Sequence, residues 1–311
     1  MSLRSGFWLF KKNGWRGYPF DCYIHNRFNI SFLPTWLQKY LYEGFFEMDT
    51  NYDALGIRPN RPIFRVNFGV SDFLLGQFMN GRVKTKPAVK RFFQNGVEFV
   101  DGTKLNDLDA VIFATGYTVT TPFIDDDLVP DDLDTRDLYK YVFPIRLPHS
   151  TLACIGSFSS DSSIPPITEM QSRWSVQVFK GTITLPTRSK MQEDITRKLK
   201  KQTEIFGKLK HFIPGISYSD ELAKEIGCYP SIKKFLLTDP RLAFKLMYGP
   251  TMPSSYRLIG PHRWSGARKA VMNCWEDSLT GLSGKVVKKN DSYFRWLLVL
   301  GLFIIILAIL Y

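Results

Sequence analysis

Several motifs that would identify a common class of protein are missing from this sequence of 311 residues. No G-x-G-x-x-G run occurs, so the sequence contains no glycine-rich turn of the kind that holds a dinucleotide pyrophosphate at a helix N-terminus. The four cysteines show no C-x-x-C spacing, which argues against a zinc site or a disulfide framework and favours a reducing compartment. The four histidines are scattered, and we therefore expect no metal site.

The charge pattern excludes a further class. Lys and Arg total 41 against 29 Asp and Glu, and the net charge of +12 favours anionic partners such as membrane surfaces or nucleotide phosphates. These basic residues form no dense block and no recognisable nucleic-acid-binding module, so nucleic acid is not expected among the partners. No catalytic triad or pair of acids is evident either, and we predict no catalytic side chain. A hydrophobic content of 44% fits a globular protein of about two domains.

The most informative stretch that is present covers residues 108–117. Ala110 to Phe113 form a short apolar run with a β-branched centre, which predicts a strand buried on both faces. The small residues after it would let a bulky ligand approach the carboxyl end of that strand, where ligands of open α/β sheets bind. The alternative interpretation is an ordinary buried strand followed by a turn.

Hydrophobic periodicity predicts further elements along the chain. Helices are expected over residues 37–48 and 189–208, and a proline-started helix is expected near residues 166–174. Residues 151–156 are predicted to form another buried strand, and residues 81–86 alternate as an exposed strand would.

The spelling of the central stretch, Phe113-Ala-Thr-Gly-Tyr117, resembles the signature of flavin-containing monooxygenases and their N-hydroxylating relatives. A Pro-x-x-Glu-x-Gln-x-Arg-Trp pattern from Pro166 to Trp174 is similar to the same family, and the likeness covers nearly the whole chain. The resemblance implies an α/β fold that is part of a two-dinucleotide-binding-domain (Rossmann-like) flavoprotein, with a helical insertion and a C-terminal membrane helix.

The resemblance also implies a domain organisation. Residues 1–117 would be the remainder of an NADPH-binding domain, with its helical insertion at about residues 9–80. Residues 118–292 would be the C-terminal part of an FAD and substrate domain, and residues 293–311 a transmembrane anchor. The family's two glycine fingerprints would precede Met1, so the chain looks like the last three-fifths of such an enzyme and is expected to be inactive alone.

Seven cofactor-binding residues are implied for FAD and NADP(H) by the family's pattern: Arg4, Thr115, Gly116, Tyr117, Ser159, Asp161 and Gln171. Arg4 matches an arginine near the adenosine 2′-phosphate, where a guanidinium can form two charge-assisted hydrogen bonds. Asp161 lies in a serine-rich segment that replaces the family's Gln-Pro-x-Gly and would add negative charge near the flavin ring. Without the resemblance, Arg4 is a charged residue near a terminus and Trp174 is a core residue of an amphipathic helix.

Residues 296–311 contain no charge, and a helix of sixteen residues is about 24 Å long. This is slightly short for a bilayer core of about 30 Å. Lys285, Lys288 and Lys289 supply a basic flank, which predicts an anchor with the body facing the cytosol. By resemblance, the membrane would be the endoplasmic reticulum. The alternative is a buried C-terminal helix.

The activity implied by the resemblance is oxygenation of a small nitrogen- or sulfur-containing nucleophile by O2, in which NADPH reduces FAD and a C4a-hydroperoxyflavin forms. A second hypothesis, of another class, is a truncated, membrane-tethered interaction or regulatory protein without catalysis. A membrane reductase that uses only a nicotinamide fits poorly, because its own phosphate loop is also missing.

Overall fold

Helices and short strands alternate irregularly along the protein in this computed structural model. The structure describes residues 1–65, 68–117, 120–125, 127, 129, 137–207 and 212–282. The α-helices are α1 (Asp21–Ile24), α2 (Arg27–Phe32), α3 (Thr35–Asp49), α4 (Leu74–Met79), α5 (Ile164–Phe179), α6 (Arg188–Phe206), α7 (Gly215–Ile226), α8 (Ile232–Thr238), α9 (Pro240–Tyr248), α10 (Ala267–Met272) and α11 (Cys274–Ser278). Short 3₁₀ helices cover Trp15–Gly17, Ile63–Arg65, Pro253–Arg257 and Thr280–Leu282.

The strands are all short, and no sheet among the described residues has more than three of them. They are β1 (Trp8–Phe10), β2 (Phe68–Val70), β3 (Val89–Phe93), β4 (Gly96–Phe99), β5 (Lys104–Leu105), β6 (Leu138–Tyr139), β7 (Phe143–Pro144), β8 (Ser159–Ser160) and β9 (Phe212–Ile213). β1 pairs with β2 in parallel, β8 pairs with β9 in parallel, and β3–β4–β5 and β6–β7 are antiparallel. The expected mixed α/β class is confirmed.

The N-terminal core is built from aromatic side chains. Trp8 and Leu9 of β1, Phe46 of α3 and Tyr52 are all buried in one cluster. The rings of Trp8 and Tyr52 meet edge to face with centroids 5.0 Å apart, a favourable arrangement of two ring quadrupoles. This packing explains why α3 forms where the sequence predicts a helix over residues 37–48.

The C-terminal core lies between α5 and α7 and the β6–β7 hairpin. α5 begins with prolines in its first turn, where a missing N–H costs nothing, and it buries one apolar face. Trp174 on that face is completely buried and contacts the rings of Tyr139 and Phe143. α6 covers the hairpin with Ile195, which confirms the predicted amphipathic helix over residues 189–208.

A buried ion pair joins the two cores. Arg27 of α2 is almost fully buried, and its Nη2 lies 3.0 Å from Oδ1 of Asp220 on α7. The hydroxyl of Tyr256 donates to the same carboxylate oxygen at 2.7 Å, and the Arg27 guanidinium lies over the Tyr256 ring. Arg65 adds a second link, because its Nη2 donates to the Glu204 carbonyl at 2.6 Å.

Two predicted strands are wrong. Residues 151–156 are irregular, and in this segment the Cys154 N–H donates to the carbonyl of Val142 at 2.8 Å. Residues 81–86 form a turn and a coil that ends in a single bridge between Ser2 and Lys86. A strand needs a ladder of partners on at least one edge, and neither segment has one in the described structure.

The predicted anchor lies outside the described residues, since the description ends at residue 282. Among the residues that are described, none of the helices is both long and apolar enough to cross a bilayer.

Candidate functional site

The central stretch of residues 108–117 is on the surface. Ile112 is 90% exposed, Phe113 is 70% exposed, and residues 110–117 form no strand. The prediction of a strand buried on both faces is therefore wrong for this structure. The Phe113 ring contacts Phe92 of β3, an edge strand of the β3–β4–β5 sheet, with the two ring centroids 5.8 Å apart. Among the described residues, no strand lies beside the apolar run. Its side chains are therefore not buried against a sheet.

The small residues after this run include a glycine in the left-handed region of backbone conformation. Gly116 has φ +91°, which glycine adopts without strain, and the position of a Cβ there would be open space. Tyr117 is fully exposed. Thr115, Gly116 and Tyr117 are all exposed, and their predicted role in cofactor binding stays a prediction.

Arg4 lies at a separate place, beside an open groove of about 360 Å³. The wall opposite Arg4 is formed by Gly56, Thr85 and Lys86. Thr85 Oγ1 donates to the carbonyl of Leu55, which fixes that wall, while Arg4 itself is exposed. The Lys86 ammonium donates to Thr103 Oγ1 at 3.3 Å. An exposed guanidinium at a groove suits a phosphate chemically, so this geometry is compatible with the predicted role of Arg4.

Ser159 and Asp161 form a junction with α7. Ser159 and Ser160 make up β8, and the Ser160 hydroxyl donates to the carbonyl of Ile213 at 3.0 Å. Asp161 Oδ1 accepts a hydrogen bond of 2.9 Å from the Gly215 N–H at the start of α7, where a carboxylate is stabilised by the helix dipole.

Asp161 also affects the ionisation of Tyr42 on α3. Burial raises the pKa of Tyr42 to about 12, and the Asp161 carboxylate adds to that rise. The Asp161 carboxylate therefore accepts a hydrogen bond at the N-terminus of α7 and also raises the pKa of Tyr42 on α3. The expectation that it lies beside a flavin ring remains a prediction.

Gln171 is completely buried, and both ends of its amide are used inside the protein. Its Oε1 accepts from the Gly156 N–H at 2.9 Å, and its Nε2 donates to the hydroxyl of Tyr218 at 2.9 Å. The Tyr218 hydroxyl in turn donates to the carbonyl of Lys140 at 2.5 Å. Burial raises the pKa of Tyr218 well above its ordinary value, so this hydroxyl stays a donor. Gln171 holds the 151–157 loop against the β6–β7 turn.

A charge cluster that the sequence did not reveal surrounds Lys140. Lys140 is 4% exposed and forms ion pairs with Glu221 and Glu225 of α7. Burial alone would lower the pKa of Lys140, but the two carboxylates raise it above its ordinary value. Lys198 of α6 lies 2.7 Å from the same Glu221. The i,i+4 spacing of the two glutamates on α7 was the only sequence signal.

Lys140 and Tyr141 also adopt an unusual backbone. Both have positive φ, 51° and 58°, at the centre of the turn between β6 and β7. Two non-glycine residues in this region cost about 1–2 kcal/mol each unless their surroundings enforce it. The ion pairs of Lys140 and the Tyr218 hydrogen bond to its carbonyl supply that enforcement. No glycine marks the turn, so turn chemistry could not have located it.

Comparison with known proteins identifies the family of this chain. A family model described as flavin-binding monooxygenase-like matches residues 1–311. The chain belongs to this family. The chain is 36% identical to human flavin-containing monooxygenase 3 over 316 residues, which are 99% of this chain and 59% of that relative. It is 35% identical to dimethylaniline monooxygenase (N-oxide-forming) 2 of Oryctolagus cuniculus, over 100% of this chain and 60% of the relative.

The flavin-binding monooxygenase-like chain therefore spans about three-fifths of the length of these curated relatives. Among solved structures, S-allyl-L-cysteine S-oxygenase from Allium sativum is 29% identical over 60% of this chain and 44% of its own, with a TM-score of 0.40. A TM-score at this level supports no structural argument.

Family membership implies FAD and NADP(H), and the described residues do not by themselves fit a flavin. The enclosed cavity between Lys140, Ser157, Ile195 and Lys198 has a volume of about 20 Å³, which is room for about one water molecule. The amide of Gln171 and the carboxylate of Asp161 are already hydrogen-bonded within the protein. No hydrogen bond, ion pair or ring contact between described residues joins Thr115–Tyr117 to Ser159–Gln171. The assembly of the predicted flavin residues into one cleft therefore stays a prediction.

Proposed function

We propose that this chain serves a flavin-dependent monooxygenase that uses FAD, NADPH and O2 to oxygenate a small nitrogen- or sulfur-containing nucleophile. The observation that supports this most strongly is the match of the family model to residues 1–311. This class of enzyme needs no acid–base constellation of side chains, because the cofactor performs the oxidation and the protein binds and orients.

We further propose that the oxygenase site is completed by polypeptide that carries the nucleotide fingerprints. Ile112 and Phe113 support this proposal, because an apolar run with the spelling of a core strand is exposed along its whole length. An uncovered run of this kind gains by burial against further strands. On this proposal residues 1–117 and 118–292 are parts of two Rossmann-like dinucleotide-binding domains, and the cleft for FAD is shared with the missing strands.

The membrane is the proposed location. The uncharged residues 296–311 and their basic flank support an anchor at residues 293–311 with the body in the cytosol, at the endoplasmic reticulum.

The exposed apolar run also favours a second function. A chain that presents Val111, Ile112 and Phe113 to solvent could act as a membrane-tethered interaction or regulatory protein that captures a partner through this run, without catalysis.

An experiment with a fused protein tests the first function. The part of human flavin-containing monooxygenase 3 outside the matched region is joined to this chain, and the visible absorbance of bound FAD and the NADPH-dependent oxidation of N,N-dimethylaniline are measured. We expect the chain alone to retain no FAD and the fused protein to retain it and oxidise the amine. A folded fused protein that binds FAD and NADPH without oxidising any amine or thioether would favour the non-catalytic function. Stoichiometric FAD on the chain alone would refute the proposal of a shared cleft.

The same fused protein tests Arg4. Arg4→Gln should raise the KM for NADPH while kcat changes little, because the side chain is expected to contact the 2′-phosphate away from the reacting ring. Arg82→Gln, a neighbouring exposed arginine, is the matched control.

A further inference from the structure

An exposed row of aromatic rings crosses the boundary between α2 and α9. The rings of Phe32 and Phe28 are stacked at 5.6 Å, that of Phe28 lies 5.1 Å from Tyr248, and that of Tyr248 lies 4.8 Å from Phe244. Phe32 and Phe244, at the two ends of the row, are 62% and 63% exposed. We call these four side chains the aromatic row. Single exposed apolar residues are ordinary, but four rings in continuous contact form a patch that needs an explanation.

The same helices are uniformly basic. α2, α8 and α9 contain five Lys and Arg residues and no Asp or Glu. Arg27 is buried in its pair with Asp220, while the other four basic residues form no ion pair with another described residue. Asp239, between α8 and α9, is occupied by the Arg268 guanidinium and by the N–H of Leu242.

The outer face of α9 combines both features. Arg241, Phe244, Lys245 and Tyr248 follow i, i+3, i+4, i+7 spacing and share one helix face. The opposite face, with Leu242, Ala243 and Leu246, is buried, and its two leucines form a small separate cluster with Val271 of α10. A helix that is already packed on one side therefore presents a second face of alternating cations and rings.

This combination matches the chemistry of a lipid surface. Aromatic rings partition into the headgroup region of a bilayer, and Lys and Arg extend their ammonium and guanidinium groups to lipid phosphates. Each basic group near an anionic surface contributes attraction, and none here is offset by an acidic neighbour on the same helices. The basic groups of a protein partner of mixed charge would find no anionic partner on this face, whereas an anionic membrane complements the whole patch.

We propose that the aromatic row and the basic groups of α8 and α9 form a membrane-docking face that lies on anionic phospholipid headgroups. Leu237, 88% exposed at the end of α8, extends the apolar part of this face. The face is distinct from the predicted anchor at residues 293–311 and does not depend on the proposed oxygenase activity. It would hold the folded body against the bilayer in a fixed orientation.

A site-specific photocrosslink tests the proposal in the full chain. A photoreactive phenylalanine analogue is placed at position 244 or, as a matched control, at position 73, where Phe73 is 78% exposed outside the docking face. The chain is reconstituted in phosphatidylcholine vesicles with or without phosphatidylserine. We expect lipid adducts at position 244 and few at position 73. Equal lipid labelling at both positions, or labelling of protein alone at position 244, would overturn the proposal, the second outcome because polypeptide covers the face.

The charges are tested by neutralisation. Arg241→Gln with Lys245→Gln should lower lipid labelling at position 244 in phosphatidylserine vesicles by about thirtyfold, since each of the two basic groups contributes about 1 kcal/mol, or about fivefold, at such a surface. Lys200→Gln with Lys201→Gln removes the same charge from the exposed side of α6 and should leave the labelling unchanged. An equal loss in both double variants would show a general charge effect and would refute a defined docking face.

Discussion

Phe113 and Trp174 are large aromatic residues in motifs of the same family, yet the structure treats them in opposite ways. Trp174 is completely buried between Tyr139 and Phe143, and its Nε1 donates to Glu225 at 2.7 Å. Phe113 is 70% exposed and touches one ring of the neighbouring hairpin. Both motifs end near residues expected to bind a cofactor.

The two regions differ in whether the segments that would bury their aromatic residue lie within the described chain. The buried residues around Trp174 lie between positions 139 and 256, most of them in the β6–β7 hairpin, α5 and α7. A strand at residues 110–113 would need other strands on both sides, and the described chain offers none. The C-terminal region therefore buries its motif against its own elements, while the central stretch is left exposed among the described residues.

The largest effect is expected from removing the buried ring. Trp174→Ala should lower the free energy of unfolding by about 3–5 kcal/mol, since it leaves a cavity and removes one hydrogen bond from the Glu225 carboxylate. Phe113→Ala should change it by less than about 0.5 kcal/mol. Urea denaturation of both variants measures the contrast. Similar losses in the two variants would mean that the central stretch is as well packed as the C-terminal core.

The next effect concerns the ion pair that joins the two cores. Asp220→Asn leaves the Arg27 guanidinium buried without its counter-charge, and should cost about 3 kcal/mol of unfolding free energy. Arg268→Gln breaks the Arg268–Asp239 pair, whose arginine is 55% exposed, and should cost about 0–1 kcal/mol. A loss in Asp220→Asn no larger than in this control would show that the two cores are not coupled through Arg27.

The sequence predicted elements that are stabilised locally. The helices over residues 37–48 and 189–208 were predicted from an apolar face that recurs with helical period, and the helix near residues 166–174 from its leading prolines. Each of these elements finds its hydrogen bonds within itself or with an adjacent segment.

Elements that depend on distant strands were not predictable in this way. The apolar pattern at residues 110–113 predicts burial between neighbouring strands, but it does not show whether those strands are present. The same applies to residues 151–156. For the site, the pattern located Gln171 on a helix but not its Gly156 and Tyr218 partners, because those hydrogen bonds join residues far apart in sequence. The Lys140 cluster was missed for the same reason.

A smaller effect is expected in acid, at the Lys140 cluster. Burial opposes the charged form of Glu221, but Lys198 and Lys140 outweigh it and lower its pKa below the ordinary value of 4.5. A carboxylate with a depressed folded-state pKa stabilises the protein above its unfolded-state pKa, and this stability is lost as the pH falls through the folded-state value. The urea concentration at the unfolding midpoint should therefore fall as the pH is lowered below about 5. Glu221→Gln should flatten that part of the pH profile. Profiles of the same shape in both proteins would contradict the coupling.

The smallest change in stability is expected where the sequence predicted the most buried strand. Ile112→Ser with Phe113→Ser replaces two exposed apolar side chains and should leave the free energy of unfolding within about 0.5 kcal/mol of the original. Self-association, measured by sedimentation velocity at increasing concentration, should fall because the exposed apolar run is removed. Val97→Ser, in the buried strand β4, is the control that should lose stability without that gain in solubility. A loss of more than about 2 kcal/mol in the double variant is the size of effect that core residues give. It would show that residues 110–113 pack as a strand within this chain, and the exposed run would no longer support completion of the site by other polypeptide.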